Sequence, residues 1–494
     1  MRIAPRIILM VALGATAATV ALIATNPLRV GFSEPGANPL GRRASIRSRQ
    51  PTLVTVTVEA IEGPDVVVSS DGYARDHTVD VLGLYPDRRN RVVIRATDQQ
   101  GNVTERSRTI RTERLPSAYP RVAVARHLPE LIAEGVTFMI LGHYEDDGDY
   151  VAMPSAIDRY GRVRWFYDGD LGHVLRRTTD GTFIVSNDEE LFEITMLGEE
   201  TGIRWPIPEG FHHDATVLPN GDLLALTTAP GSFEDGLVEV DRESGEIIRA
   251  WDYREILDPD RPRQPVNLAD EDWLHLNAVE YDLWRDEIIV SGRDQSAVVS
   301  IDRSTGELRW ILGAHEHWAE RFRGALLAPV GERFEWQWGQ HAPMVHPDDP
   351  DRLLVYDNGN KRSYQAPLAP QDNYSRAVEY ELDREEMTVR QVWQYGTRYG
   401  SQLYTPFIGD ADYLENGNRL VTFGGITRTL DGEPSELFDY EEGAVNRMKI
   451  SARVVEVTSD TPAVEVATFT FADPDPASYR GYRVYRSMRM PLVP

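Results

Sequence analysis

Six times along the chain a charged turn is followed by a short strand that closes on an aromatic residue. The copies are AIDRYGRVRWF with Trp165, LFEITMLGEETGIRW with Trp205, LVEVDRESGEIIRAW with Trp251, VVSIDRSTGELRW with Trp310, AVEYELDREEMTVRQVW with Trp393, and ARVVEVTSDTPAVEVATF with Phe469. Upstream of several copies stands a tight-turn dipeptide, Asp180-Gly181, Asn220-Gly221 or Asn416-Gly417, of the kind that supplies positive φ angles in two-residue hairpins. Each unit reads as four short antiparallel strands with period-2 alternation, recurring at roughly 40 to 70 residues. One such sheet cannot bury both faces unless neighbours stack on it. The pattern therefore predicts an all-β fold, a six-bladed β-propeller over 125–490, with each closing Trp or Phe packed between adjacent blades.

A second feature runs in the same register. His213, His275 and His341 each lie six residues before a turn or strand-ending residue, in His213-DATVL-Pro219, His275-LNAVE-Tyr281 and His341-APMVH-Pro347. His173 has the same spacing ahead of Thr179-Asp-Gly. If these segments are the innermost strands of their blades, the imidazoles converge on the propeller axis although they are far apart in sequence. Strict alternation would place His213 with Ala215 and Val217, His275 with Asn277 and Val279, and His341 with Pro343 and Val345. That predicts ionisable groups at the channel mouth and small or apolar residues below, with His212 on the opposite face of its strand from His213.

Arg293 lies in IIVSGRDQSAV, the connection between the second and third strands of the blade carrying His275 and Asn277. A guanidinium fork with imidazoles and an amide forms a donor set for a tetrahedral oxyanion such as sulfate or phosphate. A structural salt bridge is the competing role for Arg293. Three imidazoles could instead hold zinc with an open position. Against metal, none of His173, His213, His275 and His341 belongs to a His-x-His or His-x3-His pair, and Arg293 would oppose a cation. His315, His317 and His346 fall in loops or turns, where solvated surface is the default. The acidic runs 145–149 and 348–351 lack EF-hand spacing, so no metal site is assigned.

The net charge of -26 sets the chain against nucleic acid and anionic membrane surfaces, which its field repels. With no cysteine, thiol nucleophiles, zinc-thiolate sites and iron-sulfur clusters are excluded. Arg2 and Arg6 precede an uncharged run from Ile7 to Thr25. At 1.5 Å per residue it spans about 28 Å as a helix, enough for an uncleaved membrane anchor; a secretory signal peptide over 1–30 is the alternative. Either way the rest of the chain is expected to be exported, periplasmic or extracytoplasmic. Residues 31–50, rich in Gly, Ser, Pro and Arg, read as a linker. Residues 51–115 read as a small β-sandwich with no chemistry of its own, in an accessory or homodimerisation role.

The segments His212-His-Asp214 with Leu-Pro-Asn-Gly, Asp272-Trp-Leu-His-Leu-Asn-Ala278, Ser291-Gly-Arg-Asp-Gln-Ser296, Trp310-Ile-Leu-Gly313 and Trp336-Gln-Trp-Gly-Gln-His341 resemble the bacterial arylsulfate sulfotransferases. The resemblance covers roughly 50–490, with the motifs in the same order. It implies a six-bladed propeller with a small N-terminal β domain that moves a sulfuryl group from a phenolic sulfate ester to a phenol, PAPS-independent and without a cofactor. His341 is similar to the family's nucleophile, which forms a sulfohistidine. His213, His275, Asn277 and Arg293 resemble its sulfate-binding set. The chain departs from the family in two respects. Some members carry a disulfide near the site; this chain has no cysteine, so no oxidase partner is expected. Asp294 stands where related sequences can have histidine, which changes how Arg293 is held. The rival readings are an aryl sulfate hydrolase, with water as acceptor, and a non-catalytic exported propeller scaffold.

Overall fold

The computed structural model describes residues 28–144, 150–187, 189–263, 272–436, 448–472 and 481–493. The uncharged run 7–25 and the acidic run 145–149 lie outside these. Among the described residues no helix is long and apolar enough to cross a membrane. The chain divides into two compact units, the first built on the chain up to Leu115 together with Met196–Glu199 and the C-terminal residues from Leu492, the second on Pro116–Thr195 and Glu200–Pro491.

The first unit is organised by one long strand, Arg42–Val58. Its first half lies between Arg29–Ser33 and Ala74–Val81. After a register shift between Arg47 and Thr52 its second half lies between Val66–Ser69 and Arg89–Asp98. The long strand changes partners midway and so joins all its neighbours into one six-stranded sheet. This corrects the reading of 31–50 as a linker. The composition is polar, but the residues alternate: Ala44, Ile46 and Ser48 face inward, Ser45 and Arg47 are exposed, and half-buried Arg43 pairs with Asp80 at 3.0 Å. Period-2 burial outweighs composition because every second side chain of a paired strand can stay in water.

The second unit is a ring of six sheets among the described residues. Four consecutive strands make the second blade (Leu175–Arg177 to Glu200–Pro206), the third (Phe211–Val217 to Ile247–Asp252) and the fourth (Leu276–Asp282 to Leu308–Gly313). The fifth runs from His341–His346 to Thr388–Tyr395, with Ala328–Val330 added in parallel at its outer edge. The sixth runs from Asp410–Tyr413 to Glu465–Ala472. The ring closes twice. The C-terminal strand Tyr482–Met490 is the inner strand of the first blade, and the early strand Arg121–His127 is the outer edge of the sixth. Asn220-Gly221 makes its predicted inner hairpin, with Gly221 at φ 97°.

All six closing aromatics stand on the fourth strand of their blade, and each meets the blade that follows. Trp165 meets the ring of Phe183 at 5.7 Å, and Trp205 Nε1 donates to Arg242 O at 3.0 Å. Trp251 lies over Gly306, Trp310 under the Arg384 guanidinium, and Phe469 against Gly161. Trp393 Nε1 donates to Asp460 O at 3.2 Å. Each aromatic thus seals one boundary between twisted sheets. Trp310 joins a core of Ile289, Val298, Leu312, Val345, Leu353 and Val355 spanning the fourth and fifth blades. Trp310→Ala is expected to destabilise the protein by about 3–5 kcal/mol, read as a lower midpoint in denaturant unfolding. A midpoint equal to wild type would show that the boundary does not depend on this ring.

Candidate active site

The inner strands enter the channel through strained backbone. His213, His275, Ala342 and Ile408, from four successive blades, have φ of 52°, 54°, 48° and 48°. Pairing with the second strand shifts register at Phe211/Ala215, Leu276/Ala278 and His341/Met344. Left-handed conformations of non-glycine residues cost about 1–3 kcal/mol each and persist where the surroundings over-determine them. An extra residue in a strand re-aims the side chains around it. The bulges therefore break the strict alternation expected from the sequence. His212 does not turn away: its Nδ1 lies 3.2 Å from His213 Nδ1.

His341 is buried at the start of the fifth inner strand, with Nδ1 2.7 Å from Asn358 Oδ1. Asn358 Nδ2 donates to Thr405 O at 2.9 Å and Ile408 O at 2.8 Å, which fixes the orientation of the amide. Its Oδ1 must then accept, so the His341 proton sits on Nδ1 and the lone pair on Nε2. Burial, then the charge of Arg293, holds the pKa of His341 well below the ordinary value. The ring is therefore a neutral imidazole with a free Nε2 lone pair.

His275 is its opposite. Its Nδ1 lies 2.5 Å from Asp272 Oδ2 and 2.8 Å from Glu234 Oε2. Burial opposes its charge, but Asp272 and Glu234 outweigh burial and raise its pKa well above the ordinary value. The His213 ring lies 4.7 Å away at 72°, its Nδ1 3.7 Å from Glu234 Oε1. Burial nevertheless keeps His213 well below its usual pKa. Beyond it His173 stacks on Tyr485 at 4.4 Å and is pushed down to about 3 by burial, with Arg483 adding to the shift. Among these imidazoles His275 alone is held as a cation.

Arg293 occupies the turn between Glu287–Gly292 and Ala297–Asp302, fully buried, with one guanidinium nitrogen 3.2 Å from Asp294 Oδ1. Asn277 Nδ2 donates to Gln340 O at 2.9 Å, tying the fourth blade to the residue before His341. Gln340 returns the link through Nε2 to Ser291 Oγ, Gly292 O and Ala297 O. At Gly339, φ is 60° and a Cβ would fall 1.9 Å from Asn360 Oδ1. The Gly-Gln-His run is therefore a strut that sets the imidazole, with glycine required before it.

The channel below is not apolar, which corrects the second half of the alternation reading. Asp214 accepts from Arg176 at 3.0 Å, from Arg486 at 2.8 Å and from Val279 N at 3.0 Å. Arg486, on the C-terminal closing strand, also donates to Asn277 O at 3.1 Å. Glu280, Asp410 and Asp412 stand on the same inner strands. Burial raises the carboxyl of Glu280 to about 7 and that of Asp410 to about 6. The sequence reading missed Glu234, Asp272, Asn358 and Arg486. Only Asp272 falls within a motif singled out there, three residues before His275, and its spacing alone marks it as a turn residue.

Among the described residues, two groups bring possible metal-ligating atoms within 4.8 Å of one another: His212, His213 and Glu234, and Glu234, Asp272 and His275. The second does not have the geometry of a zinc centre. Metal bonds of about 2.0–2.2 Å at tetrahedral angles put ligand atoms roughly 3.3 Å apart. At His275 Nδ1 the 2.5 Å contact to Asp272 is a hydrogen bond and the 2.8 Å contact to Glu234 an ion pair, both shorter than that spacing.

A family model described as Arylsulfotransferase (ASST) matches residues 121–483, and one described as Arylsulfotransferase Ig-like domain matches 22–113. The chain is 28% identical over 389 residues to the arylsulfate sulfotransferase AssT of Escherichia coli O6:H1. It is 27% identical over 390 residues to that of Lelliottia amnigena. Each match covers 63% of this chain, and the chain spans 63% of the length of each relative. Among solved structures, hydrazine synthase of Kuenenia stuttgartiensis matches at 13% identity with a TM-score of 0.34, over 62% of this chain and 68% of that one. That score is too low to carry an argument.

Proposed function

The chain belongs to the arylsulfotransferase family, and on that premise we propose that it moves a sulfuryl group from a phenolic sulfate ester to a phenol, through a sulfohistidine on His341 and without a nucleotide donor. The observation that carries the reading is the state of His341: a buried neutral imidazole, its Nδ1–H spent on Asn358, its Nε2 lone pair free, next to the charge of Arg293.

In the first half-reaction His341 Nε2 attacks sulfur, the N–S bond forms, and the S–O(aryl) bond breaks with its electron pair leaving on the phenolate oxygen. In the second, the oxygen of an acceptor phenol attacks sulfur, the N–S bond breaks, and the lone pair returns to Nε2. The phenolate takes up one proton and the acceptor phenol gives one up, so a full cycle consumes none. Arg293 and His275 supply positive charge to the non-bridging oxygens. His213 and Asn277 border the same position, and preorganised donors of this kind stabilise charge as it develops. No step calls for a metal or a cofactor.

The reading is tested by release of a chromogenic phenol from its sulfate with and without a second phenol. Transfer requires release that depends on the acceptor; equal release in both cases would make the protein a hydrolase, and none would make it a scaffold. Incubation with donor alone is expected to add one sulfuryl group, about 80 Da, to the peptide containing His341, and an acceptor phenol should discharge it. Exhaustive chelation is expected to leave turnover unchanged. Lost activity restored by zinc or calcium would overturn the covalent mechanism.

A further inference from the structure

We propose that Glu234 and Asp272 form a carboxylate clamp that holds His275 in its doubly protonated form, making it, with Arg293, one of two fixed cations facing the sulfuryl oxygens. The inference rests on the sulfuryl-transfer reading for its consequence, but not for the state of the ring.

The geometry at one atom carries the argument. Two carboxylate oxygens meet His275 Nδ1, at 2.5 Å from Asp272 and 2.8 Å from Glu234. A lone pair there would face two anions at contact distance, so Nδ1 must carry a proton, donated to Asp272 Oδ2, with Glu234 Oε2 beside it as an ion-pair partner. With that proton committed, Nε2 is a donor only if the ring is also protonated there. A ring neutral at Nε2 would turn a lone pair toward any oxyanion in the site and repel it. Two buried carboxylates beside a buried ring favour the cation, because each anion taken from water needs a compensating charge.

The remaining groups around His275 do not cancel this. His212 and His213, from the third blade, are kept neutral by burial. His341, from the fifth blade, is likewise neutral. Across the turn of its own blade stands Arg293, whose charge is matched by Asp294 at 3.2 Å, with Arg263 3.9 Å beyond Asp294. Glu234 and Asp272 are therefore the anions in direct contact with the ring.

Glu234 is the positioning residue of the pair. It sits between the second and third strands of the third blade with φ of 57°, a strained conformation for a non-glycine residue, and its carboxylate crosses to the fourth blade. The blade boundary does not depend on that carboxylate. Glu234 O accepts from Leu276 N at 2.9 Å, and Asp235 Oδ1 accepts from Leu274 N at 3.1 Å. Removing the Glu234 charge therefore removes an electrostatic function and leaves these boundary contacts in place.

The test compares the full chain with Glu234→Gln, Glu234→Asp and Asp272→Asn. Nitrogen-15 NMR of labelled histidine, with the His275 signals identified by their loss in His275→Asn, reads the protonation of the ring without turnover. His275 is expected to stay doubly protonated in the wild type well above the ordinary histidine range, and to lose a proton near neutral pH in Glu234→Gln and Asp272→Asn. The sign for activity follows: a site that needs the cation works below the pKa of His275 and fails as pH rises through it. Weakening the clamp therefore moves the alkaline limb of kcat/KM to lower pH. Near pH 8 a loss of about tenfold or more is expected in Glu234→Gln, shrinking toward pH 6 and partly recovered in Glu234→Asp. A singly protonated His275 in the wild type at neutral pH would overturn the clamp. So would an equal loss at every pH with the protonation of His275 unmoved. A shifted His275 in a chain that turns over no aryl sulfate would support the clamp and overturn the sulfuryl-transfer reading alone.

Discussion

A His341→Ala variant is expected to fold and to lose phenol-to-phenol transfer by about 10⁴-fold or more, the scale on which deleting a covalent nucleophile acts. Among the described residues the ring makes one hydrogen bond, to Asn358. Its removal orphans Asn358 Oδ1 at a cost of about 1–3 kcal/mol, small for a protein of this size. Asn358 stays anchored through its own donors to Thr405 O and Ile408 O, so the floor of the site keeps its shape. The measurements are acceptor-dependent phenol release, the mass of the His341 peptide after exposure to donor, and a melting curve. Substantial transfer by a folded His341→Ala chain would remove His341 from the chemistry and leave the neutral imidazoles His173, His212 and His213 as the alternatives.

Arg293→Lys is expected to cost about 10²- to 10³-fold in turnover, although it conserves charge. The reason is shape: a guanidinium presents several donors in a rigid fork, whereas an ammonium is a point charge on a flexible stem. The positive charge that helps keep His341 neutral remains, so the loss isolates the fork from the electrostatic effect on the nucleophile. Asp294, against the same guanidinium, provides the control. If Arg293 serves only to neutralise this buried carboxylate, lysine would do so nearly as well and turnover would be unchanged. That outcome would assign Arg293 to a structural ion pair.

The architecture was legible because a propeller blade is written locally. A charged turn, a four-strand alternation and a closing aromatic recur within each unit, and the packing that the aromatic needs is supplied by the adjacent copy. Trp205, Trp310 and Phe469 could be placed at blade boundaries from the sequence for that reason. Where composition was weighed over alternation the reading failed: the Arg and Ser of 42–50 belong to a paired strand whose alternate side chains remain in solvent.

The candidate site divides along the same line. The order of blades brings the N-terminal ends of the inner strands together, so the repeat register by itself pointed to the convergence of His213, His275 and His341, which lie within or just before those strand starts, with Asn277 and Arg293 on the blade of His275. What each imidazole is prepared to do was decided only by the tertiary structure. Asn358 sets the tautomer of His341, Glu234 and Asp272 charge His275, and Arg486 arrives from the far end of the chain to pair with Asp214. These partners stand on loops and on the closing strand, outside the repeat register: Asn358 meets His341 across a hairpin of its own blade, Asp272 lies three residues before His275, Glu234 crosses from the preceding blade, and Arg486 reaches Asp214 only once the ring has closed. Protonation follows the balance between burial and neighbouring charge. That balance is a property of distances of a few ångströms, which residue types in sequence order do not contain.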